Sequence, residues 1–210
     1  MIRNELKNYI ENTIFKEYEK NEKGHCIEHI KYVIKRSLKF SKQIENINEE
    51  MVYTVASYHD IGHHIDKDNH EKISAQILLK DNNLKKFFTQ EQINIMAIAV
   101  EDHRASNKEE PRNIYGKIVS SADRNTSVEE MLKRTYTYNK KHYPNLNEKE
   151  IIKECYKHLK KKYGKDGYAT KKMYFKDEEY NNYLIKMDEL TTNKEKFIKE
   201  MEKIKWNIIY

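Results

Sequence analysis

The stretch Ala56-Ser57-Tyr58-His59-Asp60-Ile61-Gly62-His63-His64 closes an apolar helical run with an imidazole and a carboxylate side by side. Upstream, Val52, Val55 and Ala56 recur with His59 at helical spacing. The spacing predicts a helix from near Asn48 to Gly62 with His59 on its buried stripe. The end of such a helix can present His59 and Asp60 to one pocket. Neutral imidazole with ionised carboxylate is a mixed donor set suited to borderline and hard divalent cations. A single His-Asp pair says little. Further histidines and aspartates recur on either side of it, each at the inward face or end of an apolar helical stretch.

Working outward, residues 4–20 place Leu6, Tyr9, Ile10, Ile14 and Tyr18 on one stripe. A second helix is predicted over about 25–42, with Cys26, Ile30, Val33 and Ile34 inward. Residues 62–69 read as a polar loop, after which Asn69 is placed to cap a helix to about residue 80 with Ile73 and Ile77 inward. Thr89 with Gln92 forms a capping box before a stripe of Met96, Ala99, Val100 and His103. Past a polar loop at 105–113, Tyr115, Ile118, Val119 and Ala122 share a face with Asp123 at its end. That helix is expected to bend at Asn125-Thr126 and run on to about 141. Asn147 and Glu150 make another capping box for a helix closed by Gly164, and two helices follow the loop Asp166-Gly167-Tyr168, over about 170–190 and 193–208.

The expected fold class is therefore all-α: one helical bundle over residues 1–210, with a C-terminal extension at about 145–210 that carries no obvious chemistry. Five Gly and two Pro in 210 residues leave little material for the hairpins of a β protein. The formal net charge of +6 does not signal a nucleic-acid polymer, because acidic residues interleave with nearly every Lys run. No signal-peptide pattern follows Met1, and the longest apolar run is far short of a membrane span. Cys26 and Cys155, far apart in apolar helical contexts, read as buried free thiols. The expectation is a cytoplasmic protein with no membrane association.

The candidate ligands are His29, His59, Asp60, His70, His103 and Asp123, of which His29, His59, His103 and Asp123 are expected to point inward. Any one inward histidine is more often a satisfied core residue than a ligand. Several buried imidazoles and carboxylates together are unstable without a compensating cation, which reverses that judgement for the set. Helices converging such groups build bundle metal sites.

The order His29, then His59-Asp60, then Asp123 resembles the HD superfamily of metal-dependent phosphohydrolases, whose ligands run H…HD…D. His59-Asp60-Ile61-Gly62 matches the HDIG signature. Gly24-His25-Cys26-Ile27-Glu28-His29 resembles the family's first ligand helix, His70-Glu71-Lys72-Ile73-Ser74-Ala75 its H-x-x-x-[GS]-A segment, and Ser121-Ala122-Asp123-Arg124 its closing A-D-R. The resemblance covers about residues 20–130. It implies a helical bundle of the HD-domain type around one or two divalent ions, drawn from Mn, Fe, Co, Ni, Zn or Mg. His29, His59, Asp60 and Asp123 would hold the first ion. His70 and His103 would hold the second, with Asp60 bridging.

The implied activity is hydrolysis of a phosphoester in a small phosphorylated substrate, a nucleotide among the candidates. Arg104 and Arg124 each follow an expected ligand and are candidates to neutralise phosphoryl charge. Lys117 reads better as a solvated surface residue. His63 or His64 is a candidate to protonate the leaving group, with exposed loop histidines as the alternative. Two other classes stay open: a di-iron oxygenase of the same fold acting on a small polyol or phosphonate, and a non-catalytic nucleotide-binding regulator.

Overall fold

A computed structural model describes residues 1–21, 24–165, 167–170 and 174–209, and Asp166 of the expected loop falls outside them. Among the described residues all regular structure is helical, as the spacing of apolar residues anticipates. The chain divides into two compact units, Met1–Asp123 and Arg124–Tyr210.

The first unit opens with α1 (Asn4–Tyr9), which continues through a π turn at Ile10–Ile14 and a short α and 3-10 stretch to Lys20. Leu6, Ile10, Ile14 and Tyr18 are buried along it. Then come α2 (Ile27–Ser41), α3 (Glu49–Tyr58), α4 (His70–Lys80), α5 (Gln90–Glu101) and α6 (Ile114–Ala122). Helix α2 packs on α3 and α6, while α5 packs on α4, α6 and α3. The core between them is made of Ile30, Val33, Val52, Val55, Met96, Val100, Ile118 and Val119, all with essentially no exposure.

Local chemistry sets the helix starts. Asn48 accepts from the N–H groups of Glu50 and Met51, Asn113 accepts from Gly116, and Thr89 with Gln92 closes a complete capping box. Asn69 departs from expectation. It occupies the cap position of α4, but its side chain donates to Asp66 Oδ2 at 2.9 Å and caps nothing. Helix α3 also stops at Tyr58, earlier than Gly62, and residues 59–65 fold into successive turns. Those turns bring Gly62 against α4: its N–H donates to Ser74 Oγ at 2.9 Å, and a Cβ there would stand 2.7 Å from Ile73 Cγ2. Glycine at this position permits the close approach.

The second unit comprises α7 (Val128–His142), α8 (Glu148–Tyr163), α9 (Glu178–Thr192) and α10 (Lys194–Ile209). The helix expected to bend at Asn125-Thr126 is instead interrupted after Ala122. A new helix starts at Val128, capped by Ser127, whose Oγ accepts from Glu130 N–H. Met131, Tyr136, Cys155, Leu159, Tyr183, Met187, Phe197 and Met201 form the core of this unit. Cys155 is buried as expected, whereas Cys26 is only half-buried, and the two form no disulfide among the described residues. Among the described residues no helix is long and apolar enough to cross a membrane.

Candidate metal centre

Four helix ends and one helix face deliver the polar groups of the first unit to a common point. His29 projects from the first turn of α2, His59 and Asp60 follow α3, His70 is the first residue of α4, His103 follows α5, and Asp123 follows α6. His59, Asp60, His70 and His103 are buried, and His29 and Asp123 are half-buried.

Three of the histidines are oriented in the same way. His59 Nδ1 donates to Ala56 O at 2.8 Å, His70 Nδ1 to Lys67 O at 2.8 Å, and His103 Nδ1 to Val100 O at 2.7 Å. A carbonyl only accepts, so each ring carries its proton on Nδ1 and, when neutral, offers the Nε2 lone pair inward. The carbonyls of Ala56 and Val100 lie in the last turns of α3 and α5, where intrahelical donors run out. Backbone carbonyls in this role fix the tautomer and ring orientation of metal-binding histidines.

The Nε2 atoms gather around Asp60, whose two oxygens face different sets. Oδ2 lies 3.6 Å from His29 Nε2 and 3.4 Å from His59 Nε2. Asp123 Oδ1 adjoins the same pair, 3.1 Å from His29 Nε2 and 3.9 Å from His59 Nε2. Oδ1 of Asp60 lies 3.2 Å from His70 Nε2 and 3.4 Å from His103 Nε2, and those two nitrogens are 3.3 Å apart. Two donors bound to one cation at about 2.1 Å stand about 3.0 Å apart at octahedral angles and about 3.4 Å apart at tetrahedral ones. The spacings around Asp60 fall largely in that range. The Nε2 atom of His59 is also buried with no hydrogen-bond partner among the described residues, a costly state for a polar atom. Donor types, spacing and an unsatisfied lone pair all fit a divalent cation.

The electrostatics are those of a site built for positive charge. Burial opposes ionisation of Asp60, but His59, His103, His25 and His29 around it hold its carboxyl well below the usual carboxylate range. Burial likewise opposes ionisation of Asp123, and His29 and His59 bring it down to about 2. For His29, burial works to lower the pKa, yet the carboxylates of Asp123 and Asp60 outweigh it and raise the value to about 10. Without a cation, a proton takes its place there.

The remaining expected residues are placed unequally. His63 is buried and His64 is exposed, although they are neighbours in the same turn. The ring of His63 stacks on His25 with centroids 3.8 Å apart, and its Nδ1 has no hydrogen-bond partner among the described residues. Burial first, then the neighbouring His25, lowers His63 to about 4. Arg104 Nη1 donates to Asp68 O at 2.9 Å and to Glu71 Oε2 at 3.3 Å, which places this cation beside α4. Arg124 opens the second unit, where its guanidinium lies 5.1 Å above the Tyr180 ring. Lys117 pairs with Glu110 at 3.0 Å, consistent with a surface role.

Sequence reasoning assigned no role to Arg36, a buried residue of α2. Its Nε donates to Ala122 O at 3.1 Å and so fixes the end of α6 immediately before Asp123. A cation at a helix C-terminus also complements the helix dipole. An arginine within an otherwise apolar helical face was the available signal.

Comparison with known families matches residues 26–127 to the HD domain. The chain carries an HD domain. The match begins just before α2 and ends just after Asp123, so it contains all six gathered side chains. No curated protein matches the chain. Among solved structures, a predicted HD superfamily hydrolase from an uncultured Thermotogales bacterium is similar at 19% identity and a TM-score of 0.47, covering 74% of this chain and 85% of that one. The His/Asp clusters of this HD domain can hold a divalent metal, His29 with His59 and Asp123, and His59 with Asp60 and His103, among them.

Proposed function

We propose that the protein is a metal-dependent phosphohydrolase acting on a small phosphorylated substrate, a nucleotide among the candidates. The observation that carries this reading is Asp60, with one oxygen toward His29 and His59 and the other toward His70 and His103. In this reading His29, His59, Asp60 and Asp123 hold one ion, and Asp60, His70 and His103 hold a second. Divalent ions held by these residues would supply a water of lowered pKa, from about 15.7 toward about 7, and would stabilise developing negative charge on oxygen.

The chain's own groups do the rest. Arg104, anchored by Glu71, offers its guanidinium to an equatorial phosphoryl oxygen. His63 is neutral near pH 7 in the free protein, so it delivers a proton to the leaving oxygen only after substrate charge has raised its affinity for one. The partner is a small molecule rather than a nucleic-acid polymer, and the place of action is the cytoplasm.

Elemental analysis of purified protein, followed by phosphate release from a panel of phosphomonoesters and nucleotides, tests the proposal. We expect one or two transition ions per chain and metal-dependent phosphate release. Arg104→Ala is expected to raise KM with metal content unchanged. Iron content accompanied by oxygen consumption, without phosphate release, would replace hydrolysis with oxygenation. Metal-bound protein inert to the whole panel would point to a nucleotide-binding regulator.

A further inference from the structure

We propose that His25 is a positioning residue for the metal pair, holding the Asp60 carboxylate so that its two oxygens serve different centres. The inference rests on the metal-dependent reading above. His25 Nδ1 lies 2.6 Å from Asp60 Oδ2, the length of a charge-assisted hydrogen bond. Neighbouring ligands of one cation are held about 3.0 Å apart or more when bonds are near 2.1 Å. At that distance His25 meets the carboxylate as a hydrogen-bond donor; His25, His29 and Asp60 also lie close enough to share an ion, and the variants below separate the two roles.

The ring and the chain that carries it are fixed on two sides. His63 stacks on the His25 imidazole, with planes 19° apart. Asn21 Nδ2 donates to His25 O and to Asp60 O, both at 3.0 Å. Asn21 Oδ1 accepts from the backbone N–H of His64 at 3.0 Å and lies 3.2 Å from His64 Nδ1. One amide thus ties the approach to α2 to the turn after α3.

Asp60 needs such a hold because both of its oxygens are committed. If its carboxylate turns, the first centre retains His29, His59 and Asp123, but the second retains only His70 and His103. Losing the His25 N–H therefore falls mainly on the second centre.

The test is Co(II) titration followed by visible absorption and calorimetry, on the wild type and on His25→Ala, His25→Phe and His25→Asn. Phenylalanine keeps a ring to stack on His63 but has no N–H, whereas asparagine carries an amide N–H near the place of Nδ1. Melting of the metal-free variants reports whether each is folded. We expect the second Co(II) step to weaken about 10–100-fold in the Ala and Phe variants, the usual cost of an outer-shell partner. The first step should change little, and the Asn variant should recover the second. Wild-type binding by the Phe variant would overturn the inference, as would an equal loss in the Asn variant. A wild type that takes up no Co(II) removes the proposed function itself. Two ions taken up alike by wild type and Phe variant remove only the role of His25.

Discussion

His70 and His103 approach one another across α4 and α5 until their Nε2 atoms stand 3.3 Å apart. Each ring gives its Nδ1 proton to a backbone carbonyl, so in the neutral state the facing nitrogens both present lone pairs. Two lone pairs at that distance require a proton or a cation between them. Asp60 Oδ1, within 3.4 Å of both, supplies the anionic third corner. The two helices meet here through polar atoms that are stable only when a positive charge joins them.

His103→Ala should remove one corner of that triangle and leave the His29, His59, Asp60 and Asp123 set complete. We expect metal content to fall by one ion per chain, with the first ion retained. Elemental analysis after extensive dialysis checks this, and retention of two ions would exclude His103 as a ligand.

Asp60→Ala should abolish uptake of the second ion and weaken the first, which keeps only His29, His59 and Asp123, and His59→Ala should weaken the first ion; both should abolish activity. Phosphate release should fall to the metal-free background in either variant. Full occupancy in Asp60→Ala would show that another group bridges the two sets.

Stability of the metal-free protein should decline as pH rises. His29 has a folded-state pKa of about 10, above its ordinary 6.5, because the Asp123 and Asp60 carboxylates outweigh the burial that would lower it. The stabilisation from protonated His29 is complete below pH 6.5 and is lost through pH 10. Asp123, lowered to about 2, works at the other end: its contribution is present above pH 3.8 and is lost as pH falls toward 2. Melting temperatures of metal-free protein at pH 6, 8 and 10 read the upper window. A rise in Tm across it would contradict the pairing.

Metal uptake should release protons, because a cation displaces the proton on His29. Calorimetry at pH 7 in buffers of different ionisation enthalpy should give a binding enthalpy that varies with the buffer. A buffer-independent enthalpy would mean that His29 is already unprotonated.

Gly62→Ala places a Cβ 2.7 Å from Ile73 Cγ2 and 3.0 Å from Ser74 N. Backbone of α4 cannot yield as a flexible side chain would, so we expect a loss of about 1–3 kcal/mol, typical of overpacking. Denaturant unfolding measures it. Because the HD turn and His70 lie on the two sides of this contact, weakened metal affinity should accompany the loss.

Much of this site is legible in the chain because helical periodicity marks the inward direction. His59 shares a stripe with Val52, Val55 and Ala56, and His103 with Met96, Ala99 and Val100, so their burial follows from spacing alone. The capping boxes at Thr89 and Asn147 are equally local, since each needs only residues three apart. Turns have no such period. His63 and His64 are indistinguishable in the sequence, yet one is buried against His25 and the other is exposed. Asn69 had the right residue type for a cap, but Asp66 competed for its side chain. The interruption between Ala122 and Val128 also escaped a reading that followed the apolar pattern through it.

The sequence by itself determined the helical class and the inward direction of His59 and His103, because helical periodicity links residues within a few turns of each other, and it displayed the order H…HD…H…H…D as a linear pattern. Tertiary structure alone decided that the two oxygens of Asp60 face separate pairs of histidines, that Asn21 and His25 stand behind that carboxylate, and that Arg36 reaches Ala122. The contacts of His25 and Asn21 with Asp60 and of Arg36 with Ala122 join residues 35–86 positions apart in the chain. No local pattern encodes them; they arise when buried faces of different helices pack and bring their ends together.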